Sequence, residues 1–281
     1  MSVIITLLPA LGWGLMPLVL KKVDGNINND LIGTGIGALI TGILVYIFSN
    51  TKLDLQTITI GILSGSFWVL GQLGQYKCYR TLGVSKTIPI STGFQIIGTS
   101  LIGIIFFNEW SKNTSKIIGL FPILFIILGV FLTSYSENKE KSKLGPDVLL
   151  LGITSTGYWV YSAIPKLSQN DGVSLFVPQM LGVFLATMIF SFFNDSRAFK
   201  ESKSYKSLFV GILFGLAALA YIYSAKINGV ATAYIIAQLN VVVSTLSAIF
   251  VLKENKSRKE KVYSIVGLCV IVMSSIVTSL L

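Results

Sequence analysis

Inside its apolar segments this chain keeps amides, hydroxyls and aromatic rings. Trp68, Gln72 and Gln75 fall at i, i+4 and i+7, one face of a helix. Thr92, Gln95 and Thr99 follow the same rule, and Tyr158, Tyr161 and Pro165 share a face with Trp159 beside them. Gln179 follows Pro178, and Tyr234, Gln238 and Asn240 lie close together further on. A buried amide without a partner costs a few kcal/mol. These groups should therefore converge on one another or on a wet cavity, or else tie helices together. Flat rings beside amides suit a molecule with C–H faces and hydroxyl edges, such as a sugar ring.

Full charges lie elsewhere. All twelve Asp and Glu fall in polar links or at the ends of apolar runs. A carboxylate at bilayer depth is costly and usually functional, so the substrate expected of this interior is a neutral solute. Asp30 and Glu109, each at the end of an apolar run, are the candidates for any proton coupling. Both read first as solvated or helix-capping groups. There is no histidine, which removes Ser-His and Cys-His nucleophile pairs and His-ligated metals. Cys78 and Cys269 suggest neither a disulfide framework nor a zinc site. No catalytic residue, metal or cofactor is expected.

The elements that must position these side chains are membrane helices. Of 281 residues 53% are hydrophobic and 12% charged, with a mean hydropathy of +0.76. A soluble domain carries about 25% charged residues. Ten apolar runs are legible, at about 3–20, 31–49, 57–77, 85–107, 116–135, 148–165, 173–193, 207–225, 229–252 and 262–281. The first reads as a spanning helix and not a removed signal peptide. The most polar link is central, which divides the chain into a first half, 1–137, a linker, 138–146, and a second half, 147–281.

The halves repeat weakly. At an offset of 146, Trp13 falls on Trp159, Gly65 on Gly211, Arg80 on Lys226 and Gly83-Val84 on Gly229-Val230. Gly61 to Gly65 also matches Gly211 to Gly215 at an offset of 150, which leaves the register open. Trp13, near the centre of its run, joins the candidate lining. Gly33/Gly37, Gly61/Gly65 and Gly211/Gly215 predict close helix packing. Pro17, Pro89, Pro165 and Pro178 remove helical hydrogen bonds and are candidate hinges.

An odd number of helices per half inverts the second half. The charge pattern agrees. Apart from Lys52, Lys112, Lys116, Lys166 and Lys226, all 22 Lys and Arg fall in the links after runs one, three, five, seven and nine. Such clustering places those links in the cytoplasm and both termini outside. It also argues against nucleic acid as the partner of the +10 net charge.

With these residues in view, the chain resembles the glucose/ribose uptake family of bacterial sugar carriers, within the drug/metabolite transporter superfamily. The likeness runs nearly end to end. It rests on Leu8 to Gly14 (LPALGWG), Ile32-Gly33-Thr34 with Gly37 to Ile40, Pro89 to Thr92 with Phe94 to Leu101, Tyr158-Trp159, and Pro178-Gln179. The resemblance implies an all-α membrane protein of ten transmembrane helices in two inverted five-helix repeats. It also implies uptake of glucose or ribose, with protons as coupling ion, in the cell membrane. Partners would be the sugar and the lipid bilayer, with a homodimer left open. The competing readings are an exporter of amino acids or other metabolites, and a sugar-sensing or scaffold protein that moves nothing.

Overall fold

The computed structural model describes residues 2–49, 53–107, 113–137, 144–168, 172–228, 233 and 236–279. Among these the regular elements are all helical. The long ones are α1 (Ser2–Val23), α2 (Ile27–Phe48), α3 (Leu55–Thr81), α4 (Val84–Phe106), α5 (Asn113–Thr133), α6 (Leu144–Ala163), α7 (Gly172–Asp195), α8 (Leu208–Asn228), α9 (Asn240–Phe250) and α10 (Arg258–Ser279). They fall where the apolar runs do. Eight are long and apolar enough to cross a membrane, while α9 and α5 over Phe121–Thr133 are shorter apolar helices.

Most packing runs between the halves. Helix α1 packs on α8 and α9, and α6 packs on α3 and α4. Helix α2 packs on α7 and α8, and α7 on α2 and α3. Adding five to each helix of one set gives the other. Close backbone crossings repeat in the same way. A methyl group at Gly37 would come within 2.2 Å of the Leu208 carbonyl oxygen, and one at Gly182 within 2.3 Å of the Ile62 carbonyl oxygen. The expected packing role of Gly33, Gly37, Gly61, Gly65 and Gly211 is seen directly: at each, an added Cβ would meet backbone or proline atoms within 2.5 Å. Trp68 and Phe214, 146 apart, stack with ring centroids 4.0 Å apart. Helices α5 and α10 form an outer pair, with Phe121, Phe125, Phe131 and Met273 all more than half exposed.

The links after α1, α3, α5, α7 and α9 meet at one end of the bundle. Arg80 donates to Gly25 O at 2.8 Å, and Lys203 to Asp24 O at 2.6 Å. The Glu254 carboxylate accepts from the N–H groups of Val84 (2.6 Å) and Ser85 (3.2 Å), capping α4 where Gly83, at φ +81°, offers no side chain. Glu260 accepts from Ser136 Oγ and Glu137 N, both at 3.1 Å. Lys166 lies at the other end, 4.8 Å from the Phe107 ring.

Two expectations need correction. Residues Asn28 to Asp30 read as part of a polar link, yet they form the first turn of α2 and are buried. Asn26 and Asn29 cap that helix reciprocally, so Asp30 is neither the cap nor solvated. The ninth apolar run is not one continuous helix. Residues 236–237 are helical, 238–239 form a turn, and α9 starts at Asn240. The bonds there tighten to i→i+3, as in Leu239 N to Ile236 O and Val241 N to Gln238 O, each 3.1 Å.

Candidate functional site

Helices α3, α4 and α6 bring one group of the expected residues together. Tyr158 OH donates to Gln72 Oε1 at 2.9 Å, and Gln72 Nε2 approaches Gln75 Oε1 at 3.5 Å. Tyr79 OH also donates to Gln75 Oε1, at 2.9 Å. Gln75 Nε2 donates to Ser91 Oγ at 2.8 Å, and Gln95 Nε2 reaches the same oxygen at 3.2 Å. The result is a relay across three helices, with Thr92 buried next to Ser91. Trp68 closes one side, edge-on to Tyr158 at 6.4 Å. Trp159 lies along α4, its indole N–H on the Phe94 carbonyl at 2.9 Å and its ring against Gly98.

Other candidates lie apart from this relay. Gln179 Nε2 donates to Ser64 Oγ at 2.9 Å, and Ser64 donates on to the Tyr161 carbonyl at 2.8 Å. Trp13 faces Tyr221, with centroids 6.0 Å apart, and its buried indole N–H has no acceptor among the described residues. Gln238 sits in the turn before α9, and Asn240 opens that helix, its carbonyl accepting from Ser244 Oγ at 2.8 Å. Tyr234 and Glu109 lie outside the described residues. Helices α1, α4 and α7 run through Pro17, Pro89 and Pro178. Pro165 instead lies in the 3₁₀ turn Ile164–Leu167 that ends α6.

At the basic end lies a second polar cluster. Asp30, 1% exposed, is paired with Arg80, whose side chain is 34% exposed. Ser207 Oγ is 3.4 Å from Asp30 Oδ1. Asn29 donates to Glu201 (2.7 Å) and Ser204 (2.9 Å). A cleft of about 610 Å³ opens over this cluster, lined by Asp24, Asn29, Arg80, Glu201 and Lys203 among others. From Asp30 the hydrogen bonds lead inward: Thr34 Oγ1 donates to Asp30 O at 2.6 Å and lies 2.7 Å from Tyr76 OH.

Sequence reasoning missed Ser91, Ser64, Tyr79 and Arg80. The spacing Ser91, Gln95 and Gln75, Tyr79, each i and i+4, held a signal for two of them.

The fold and site define a multi-pass helical membrane protein with a relay of amides and hydroxyls across α3, α4 and α6. Comparison places it further. Residues 4–281 match the family described as "Sugar transport protein", and the chain belongs to it. It is 41% identical to a protein of Lactobacillus helveticus named provisionally as a sugar uptake protein, over 98% of this chain and 99% of that one. It is 39% identical to a Latilactobacillus sakei protein named provisionally for ribose uptake, over 99% and 98% of the two chains. A solved crystal structure shares the fold at a TM-score of 0.62 and 12% identity, over 100% of this chain and 98% of its own.

Proposed function

We propose that the protein carries a neutral sugar, glucose or ribose, across the cell membrane into the cytoplasm by alternating access. The observation that carries this reading is the relay of amides and hydroxyls on α3, α4 and α6, which offers hydrogen bonds without charge. Membership of a sugar transport family supports it. Saturable uptake of labelled glucose or ribose by proteoliposomes is the expected result. Uptake of neither refutes it.

The working parts would be two five-helix repeats, 1–137 and 147–281, joined by the linker 138–146. The contact pattern that maps onto itself by five helices supports this, and favours the 146 register over 150. Helix α1 ends at the basic end and α6 begins there, as inversion requires. By the positive-inside rule that end is cytoplasmic. Cysteines introduced by Lys203→Cys and Lys253→Cys should then label from the cytoplasm, and Lys166→Cys from outside.

Transport would alternate the two ends, with α1–α4 rocking against α6–α9. The bonds joining the links at the basic end suit a state closed on that side. Asp30 is the carboxylate proposed for proton coupling, because it is buried, and its backbone carbonyl begins the hydrogen bonds that run to Thr34 and Tyr76. Sugar accumulation that persists without a proton gradient would count against that role.

A further inference from the structure

The relay has a direction, and Ser91 turns it. Tyr158 donates to the carbonyl oxygen of Gln72, so the Gln72 amino group faces Gln75. Gln75 receives that contact and the Tyr79 hydroxyl on its own carbonyl oxygen, so its amino group faces Ser91. Ser91, fully buried, accepts there and from the amino group of Gln95 as well. Gln72 and Gln75 thus have both ends of their amides engaged inside the protein. Gln95 differs. It is half-buried, its side-chain amino group is held by Ser91, and no described residue donates to its side-chain oxygen, Oε1, while Thr99 Oγ1 takes up its backbone carbonyl at 2.7 Å.

Among the described residues the arrangement occurs once. At the positions 146 further on, Gln72, Gln75, Ser91 and Gln95 are replaced by Ala218, Tyr221, Ala237 and Val241. Where the first half has this relay, the second half has two alanines, a tyrosine and a valine, and a broken helix at Gln238-Leu239.

We propose that Ser91 is a positioning residue for substrate selection: by fixing the amino group of Gln95, it presents the Gln95 carbonyl oxygen as an acceptor for one hydroxyl of the sugar. This rests on the sugar reading above. An acceptor so fixed distinguishes a hydroxyl, which donates, from fluorine, which does not. Without Ser91 the amide of Gln95 turns freely and offers either end.

The test is competition against labelled glucose and ribose uptake by the full chain in proteoliposomes, using their monodeoxyfluoro analogues. In the wild type, fluorine at one ring position should weaken competition about five- to tenfold, the worth of one hydrogen bond. In Ser91→Ala the apparent affinity for sugar should fall, and that fluorine penalty should shrink to within about twofold. Ser91→Thr, which keeps the hydroxyl, should restore the penalty. Should Ser91→Ala fail to reach the membrane, Ser91→Cys, with its weak sulfur acceptor, should move the ratio in the same direction. A variant with weaker uptake but an unchanged fluorine ratio at every position overturns the role of Ser91 and leaves sugar transport standing. A wild type that takes up neither sugar overturns both.

Discussion

Replacing Arg80 should cost far more than replacing the acid it pairs with. Asp30 is 1% exposed, so without Arg80 its charge keeps, among the described side chains, only Ser207 Oγ at 3.4 Å. Stranding one member of a buried pair costs about 3–5 kcal/mol. Arg80 is 34% exposed, and partial solvation trims this to the lower end, about 3 kcal/mol. Arg80 also donates to Gly25 O, and that tie between two links goes too. Arg80→Ala should therefore lower the melting temperature of the detergent-solubilised protein by about 6–12 °C, at about 2–4 °C per kcal/mol. Asp30→Asn leaves a cation that can reach water, and should cost about 1 kcal/mol. The double variant Asp30→Asn/Arg80→Ala should be more stable than Arg80→Ala alone. Melting curves followed by fluorescence-detected size exclusion give all three values. Equal and additive losses for the two single changes would refute the reasoning, since that outcome means Asp30 is hydrated after all.

Other predictions are briefer. Gly211→Ala puts a methyl group within 2.1 Å of the Thr34 carbonyl oxygen, and should cost about 1–3 kcal/mol and lower the yield of folded protein. Trp159→Phe loses the bond to the Phe94 carbonyl and should cost about 1 kcal/mol, whereas Trp13→Phe removes an N–H without an acceptor and should be neutral or stabilising. Burial, with Lys86 beside it, pulls the Lys256 ammonium down to about 8. The unfolded chain therefore holds that proton up to about 10.5, so stability should rise from pH 8 to 10.5. Lys256→Met should flatten that rise in melts taken across the window.

Helix positions were legible because about twenty apolar residues in a row have few other uses. The one-sided placement of basic links was legible for the same reason, and the meeting of Arg80, Lys203 and Glu254 with other links at one end agrees with it. The burial of Asn28 to Asp30 was not. Their polarity reads as solvent exposure until Glu201, Ser204 and Arg80, far along the chain, are brought against them. Gln72, Gln75 and Gln95 could be named from helical spacing. Ser91, one turn before Gln95, left only a weak mark, because a helical serine usually bonds its own backbone. The break before α9 left no proline or glycine to mark it.

The interleaving of the halves has a consequence for how the protein is made. Helices α1, α2 and α3 find their main partners only in α6 to α9. While the ribosome is still supplying the second half, Gly37 and Gly65 face lipid in place of the backbones they are shaped to meet. The bundle thus closes late, and each fragment of a gene cut at the central linker should be degraded alone but rescued when both are synthesised together.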